Sequence, residues 1–207
     1  MFAHASRLMP HTCAMSRRAE ILERAAEVFD EHGYRGASVE ELARRVGLRK
    51  GSLYHHVRSK EQLLGEVLLR GMALLHGGIP EAEAAGVPPA EKVRAAIRFH
   101  LEWMAAEPHV TGVFLREVRH LPPRLRRRLQ AEVKEFEGRW VHLIREGMAA
   151  GAFRADLDPK FTVYAILGLV NSVHRWYRPD GRLPMKRIAD LCADMALDGL
   201  RHRPARG

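Results

Sequence analysis

The chain has 207 residues and a formal net charge of +9 at pH 7. That length buries a substantial core and suits one medium domain, or a small domain joined to a larger helical one. The charge fits a polyanionic partner. The two cysteines, Cys13 and Cys192, are far apart and form no CxxC pair, which argues against a zinc finger or a disulfide framework and for a reducing, cytoplasmic compartment. No apolar run reaches the ~20 residues that cross a bilayer. The first residues lack the continuous apolar stretch of a signal peptide.

Residues 1–15 mix His, Pro, Ser and Thr without period and read as a loose tail. His4, His11 and Cys13 are metal-binding types, but their setting gives no reason to expect a site, and no metal or other cofactor is expected anywhere in the chain. From Ser16 onward Ile21, Leu22, Ala25, Val28 and Phe29 recur at helical spacing, with Ser16 as N-cap and His32-Gly33 as a stop. Ser38-Val39-Glu40-Glu41 has the S-x-x-E capping-box form, in which serine and glutamate satisfy free backbone donors reciprocally. The helix it opens carries Leu42, Ala43 and Val46 inward and is interrupted at Gly47. A short helix from about Arg49 to His56 follows, anchored by Leu53 and Val57. Ser59 to Gln62 repeats the capping box and opens a fourth helix through Leu63, Leu64, Val67, Leu68, Met72 and Leu75. Residues 77–90, rich in Gly, Ala and Pro, read as a loop. Helices resume over 89–106, 108–120, 122–150, 159–178 and 184–200, which makes nine and predicts an all-α fold.

From Arg44 to Lys60 there are six basic residues and no acidic one. Ala43, Gly47 and Leu53 have the spacing of a helix-turn-helix: a small residue where helices cross, a turn glycine, then an apolar anchor on the second helix. That second helix is short enough to lie in a major groove. A plain helical hairpin with a solvated basic face is the alternative.

The segment from Ile21 to Val67 resembles the N-terminal domain of the TetR family of bacterial transcriptional regulators. The resemblance is carried by Ile21, Ala25, Phe29, Gly33, Tyr34, Ser38, Val39, Ala43, Gly47, the run from Lys50 to Val57, Lys60 and Leu63-Leu64. It implies a DNA-binding domain over 16–60, a ligand-binding and dimerisation domain over 61–207, and a recognition helix from about Arg49 to His55. Lys50 and Ser52 are then candidates for base edges. Arg49 and Gly51 belong to the same contact, and Ser38, Tyr54, His55 and Lys60 are candidates for the phosphate backbone.

In the body, the helix from Phe161 to Tyr177 is apolar nearly all round and must be covered on more than one side. With Ile188, Leu191, Cys192, Met195 and Leu200 of the last helix, it is a candidate two-fold dimer interface; a deeply buried single-chain core is the alternative. The long helix opens with Arg124, Arg126, Arg127 and Arg128 at the positive end of the helix dipole, where an anion is favoured. Arg116, Arg119, Arg175 and Arg178 are expected at the same cationic mouth. A solvated arginine face is the alternative. Trp103, Met104, Phe114, Phe136, Trp140, Ile144, Met148, Phe153 and Tyr164 are candidates to line an elongated apolar cavity behind it. The runs Phe114 to Glu117 and Asn171 to Gly181 resemble the branch of the family that senses acyl-coenzyme A esters. This implies a homodimeric repressor on a pseudo-palindromic operator, released by a small-molecule effector of the acyl-CoA class.

Two other functions compete. A multidrug-sensing regulator would place an acidic residue inside its pocket rather than arginines at the mouth. An enzyme would need a constellation this chain lacks: there is no G-x-S-x-G, H-E-x-x-H or phosphate loop among its residues.

Overall fold

The computed structural model describes residues 16–79 and 86–201. The tail over 1–15, with His4, His11 and Cys13, lies outside them. The described residues contain nine α-helices: α1 (Arg17–Gly36), α2 (Val39–Arg45), α3 (Lys50–His56), α4 (Lys60–His76), α5 (Pro89–Ala106), α6 (Pro108–Glu117), α7 (Pro123–Ala149), α8 (Pro159–Ser172) and α9 (Met185–Leu200). Short 3-10 turns continue α6 over Val118–His120 and α8 over Val173–Arg175, and no strand occurs among the described residues. The helices expected over 108–120 and 159–178 therefore tighten or stop early.

The described residues divide into two compact units, one formed by 16–71 and 109–129 and the other by 72–79, 86–108 and 130–201. This division differs from the sequence-based boundary at residue 60, because α4 and α7 each contribute to both units and α6 belongs almost wholly to the first.

In the first unit, Ile21, Leu22, Ala25, Val28 and Phe29 are all buried, as are Leu63, Leu64, Val67 and Leu68. The Ser16 hydroxyl accepts the Ala19 N–H at 3.2 Å and starts α1. The helical path of α1 breaks at Gly33, whose φ of 67° only glycine adopts at no cost. Both serine caps form, Ser38 Oγ accepting from Glu41 N at 3.0 Å and Ser59 Oγ from Gln62 N at 3.1 Å. The reciprocal halves of the two capping boxes do not. Glu41 is drawn to Arg44 at 2.6 Å and Gln62 donates to Glu66 at 2.9 Å, since a charged partner outcompetes a backbone amide.

In the second unit, α5, α8 and α9 pack together around Val93, Ile97, Leu101, Val163, Ile166, Val170, Ile188, Ala193 and Leu197. Arg94–Asp194 and Arg98–Asp190 pairs, each at 2.7 Å, tie α5 to α9. Trp140, Leu143 and Ile144 of α7 are buried, and each fully buried large apolar side chain stabilises the fold by ~1.5–3 kcal/mol. α8 is covered on one side only. Phe161, Tyr164 and Trp176 are 71%, 46% and 54% exposed, and Leu191 and Met195 of α9 are exposed too.

Near the end of α7, Gly147 lets the Phe153 ring lie against the helix, and a Cβ there would stand 2.1 Å from two of its ring carbons. Gly138 of the same helix faces open space. Alanine has the higher helix propensity by ~1 kcal/mol, whereas overpacking a core costs ~1–3 kcal/mol. Gly138→Ala is expected to raise thermal stability by ~0.5–1 kcal/mol and Gly147→Ala to lower it by ~1–2 kcal/mol, as read from thermal melts of the two variants beside the parent.

Candidate nucleic-acid interface

The candidate interface is built by the turn between α2 and α3. Gly47, at φ 70°, ends α2 with paired bonds: Leu48 N–H reaches back to Ala43 O at 2.8 Å and Gly47 N–H to Arg44 O at 3.1 Å. This left-handed closure satisfies carbonyls that the helix end would otherwise leave open. Ala43, Val46, Leu53 and Val57 are buried behind it. Arg17 adds a bond to Val46 O at 2.6 Å.

Arg49, Lys50, Gly51, Tyr54 and His55 are left exposed, with Ser52 half-buried and Ser38 exposed at the head of α2. A Cβ on Gly51 would meet nothing within 4 Å, so packing within the chain does not require glycine there. Close approach of another molecule's backbone would. Lys50 donates to Glu40 at 2.5 Å. That bond holds the Glu40 carboxyl below its ordinary range and raises the Lys50 ammonium. Both side chains are over half exposed, at 54% and 63%, and such pairs contribute little, so a phosphate or base edge can displace the glutamate.

Lys60 departs from expectation. Its ammonium is part-buried and donates to Tyr34 O at 2.8 Å and Ala37 O at 2.9 Å, while lying 4.4 Å from the Tyr34 ring centroid. It clamps the link between α1 and α2 instead of extending to solvent. Tyr34 is held in turn by Glu61 at 2.7 Å. Its hydroxyl is pushed up to about 12, first by burial and then by that carboxylate.

The twelve residues expected at a ligand are divided between the units. In the first, Arg116 is paired with Asp30, which also holds His109 at 2.9 Å. It is therefore committed within the unit. Arg124 and Arg128 are exposed and Phe114 half-buried. Arg126 relieves the crowding of cations at the start of α7 by donating to Arg119 O at 2.6 Å and Leu121 O at 3.1 Å. Arg119, with Arg35 and His120, lines an open recess of about 390 Å³. Arg35 and His120 carry no periodic signal in the sequence.

In the second unit, Trp103, Trp140 and Ile144 are buried, and Asn171 Oδ1 stands 3.1 Å from His100 Nε2. Tyr164 departs from expectation: it lies on the exposed side of α8 beneath Lys160, because its position on the helix falls opposite Val163 and Ile166. Arg175 and Arg178 are likewise exposed. His100 is the residue missed. One turn before Trp103 on the inner face of α5, it is 4% exposed and packs against Trp103 and Phe136. A polar residue on an otherwise apolar face was the available signal. No group of three or more His, Cys, Asp or Glu able to hold a metal is found among the described residues.

Two family models cover this architecture: bacterial regulatory proteins of the tetR family over residues 21–67, and the tetracyclin repressor-like C-terminal domain over 86–200. The second alone spans more than half the chain. The chain belongs to the TetR family of bacterial transcriptional regulators. It is 31% identical over 185 residues to the transcriptional repressor KstR2 of Rhodococcus jostii, covering 89% of this chain and 91% of that one. Among solved structures it is similar to the TetR regulator PfmR of Thermus thermophilus, with a TM-score of 0.80, 33% identity and coverage of 88% and 99%. It is also similar to AibR in complex with isovaleryl coenzyme A and operator DNA, with a TM-score of 0.79, 29% identity and coverage of 86% and 97%. No described helix is long and apolar enough to cross a membrane.

Two outcomes follow for a TetR regulator so built. Lys60→Met strands two part-buried carbonyls and is expected to cost ~1–3 kcal/mol of stability, seen as a lowered melting temperature in the absence of DNA; an unchanged melt would return Lys60 to a purely external role. Burial lowers the His100 pKa to about 4, so the unfolded chain takes up this proton first as pH falls. Stability that is intact above about pH 6.5 is therefore lost towards pH 4, by ~3 kcal/mol. Denaturant titrations of His100→Gln should show that much less acid sensitivity than the parent over the same range.

Proposed function

We propose that this chain is a repressor that binds a pseudo-palindromic operator as a homodimer in the bacterial cytoplasm and lets go when a coenzyme A thioester binds its body. The observation that carries the DNA half is the exposed face of α3, where Lys50, Tyr54 and His55 surround a Gly51 that packing does not require. Lys50 and Ser52 read base edges, while Arg49, Tyr54, His55 and Ser38 fix the backbone. Two such helices about 34 Å apart enter successive major grooves. The apolar residues left exposed on α8 and α9, Phe161, Tyr164, Leu191 and Met195, support a two-fold interface at which each chain covers the other.

The effector reading is supported by the likeness to AibR, whose structure contains isovaleryl coenzyme A with operator DNA. The aromatic interior of the second unit, with Trp103, Phe136 and Trp140 buried, suits the acyl group of such a ligand. Because α4 supplies residues to both units, a shift of this helix on ligand binding links effector to operator, through differential affinity for two states.

The test is a gel-shift and anisotropy series on genomic fragments at moderate salt, followed by addition of coenzyme A thioesters of graded chain length. One fragment class should bind at least ~1000-fold tighter than random DNA and be released by one range of chain lengths. Lys50→Ala should cost ~1–3 kcal/mol at a single operator position, whereas loss at an Arg49→Ala variant should be alike for all sequences. Binding without sequence preference would sink the repressor assignment, and release by no thioester would sink the effector.

A further inference from the structure

Three buried ring nitrogens in the second unit have no hydrogen-bond partner among the described residues: His100 Nδ1, Trp103 Nε1 and Trp140 Nε1. Their residues are 4%, 6% and 0% exposed. They belong to one aromatic cluster. The His100 ring stands edge-on to Trp103 at 6.4 Å and 6.0 Å from Phe136, whose own ring meets Trp140 edge-on at 6.3 Å. An interior meant only to be packed, or to hold a plain hydrocarbon chain, is served by phenylalanine or leucine at such positions, since every buried polar group left unpaired is destabilising.

We infer that the buried end of the effector carries an oxygen function, foremost a hydroxyl, recognised by the indole N–H groups of Trp103 and Trp140 and by His100 Nδ1. The inference rests on the thioester reading above and names the acyl class that reading leaves open. An indole nitrogen only donates. His100 is neutral because it is buried, and its Nε2 faces the Asn171 carboxamide oxygen at 3.1 Å, so Nε2 bears the proton and Nδ1 accepts. The cluster thus offers two donors and one acceptor. A hydroxyl oxygen has lone pairs for the indoles and a proton for the imidazole, a ketone answers the indoles alone, and a methylene answers none. All three protein groups are neutral, so neither a carboxylate nor an ammonium is matched. Asn171 is a positioning residue, fixing the tautomer that His100 presents.

The experiment is calorimetry of the full-length protein with decanoyl-CoA, its monohydroxy regioisomers and the corresponding ketones. One hydroxy regioisomer should bind at least ~10-fold tighter than decanoyl-CoA, with its ketone between them, because a site built to bond a hydroxyl rejects the analogue that lacks it. Trp103→Phe and Trp140→Phe should each shrink that preference to ~2-fold or less, read within each variant as the ratio of the hydroxy isomer's affinity to that of decanoyl-CoA. Should either variant fold poorly, ¹⁵N-indole spectra of the unmodified protein give the same answer: the preferred isomer shifts the Trp103 and Trp140 N–H resonances downfield, and decanoyl-CoA does not. Equal binding of decanoyl-CoA and every regioisomer overturns the inference and leaves the thioester reading standing, as does an indole spectrum unmoved by any of them, which would assign these nitrogens to bound water. Failure of all thioesters to bind overturns both.

Discussion

What the first unit presents to solvent depends on one backbone constraint, the left-handed closure at Gly47. Leu48 N–H returning to Ala43 O ends α2 and turns the chain so that Ala43 and Leu53 are both buried while Lys50, Tyr54 and His55 are exposed. Any residue with a Cβ at position 47 is strained at φ 70°. Strain there would not remove a contact residue; it would re-aim all of them together. Around this turn the unit is fastened by bonds to backbone carbonyls, Arg17 to Val46 and Lys60 to Tyr34 and Ala37. Cations of a DNA-binding protein are thus divided between holding the reading head and serving as its surface.

Much of this was legible in the sequence, and the reason is periodicity. Burial selects apolar side chains at fixed intervals, so Ile21 to Phe29 and Leu63 to Leu75 declare their helices and their inner faces without reference to the rest of the chain. Caps are nearly as local, and Ser38 and Ser59 stand where the pattern puts them. What the pattern does not carry is competition. Glu41 and Gln62 have the right spacing for reciprocal caps, yet each has a nearer charged partner, and Arg116 has Asp30 from a helix 86 residues away. Long polar side chains choose among partners that only tertiary structure assembles.

The ligand residues show a second limit. Arginines close in sequence need not act together: Arg116 is paired, Arg126 caps carbonyls, and Arg119 lines a recess with Arg35, a residue from another helix. Tyr164 is apolar in type and helical in spacing, but spacing cannot say which of two apolar faces is the inner one when both are apolar. On α8 the exposed face carries Phe161 and Tyr164 and the inner face Val163, Ile166 and Val170. β-branched and aliphatic residues fill the tight side, and large aromatics stand on the side left open to solvent.

His100 marks where the two uses of an apolar interior part. Lys92 on the same helix is equally buried, but its charge is answered by Glu146 at 2.6 Å, so its burial is accounted for by the fold itself. His100 is answered on one nitrogen only, and the indole nitrogens of Trp103 and Trp140 in the same cluster have no partner among the described residues. A core under selection for stability alone has no reason to keep three such groups together when isosteric apolar residues exist. Grouped in one cluster, they are the polar atoms that the proposed recognition of an effector hydroxyl would use, deep in the second unit.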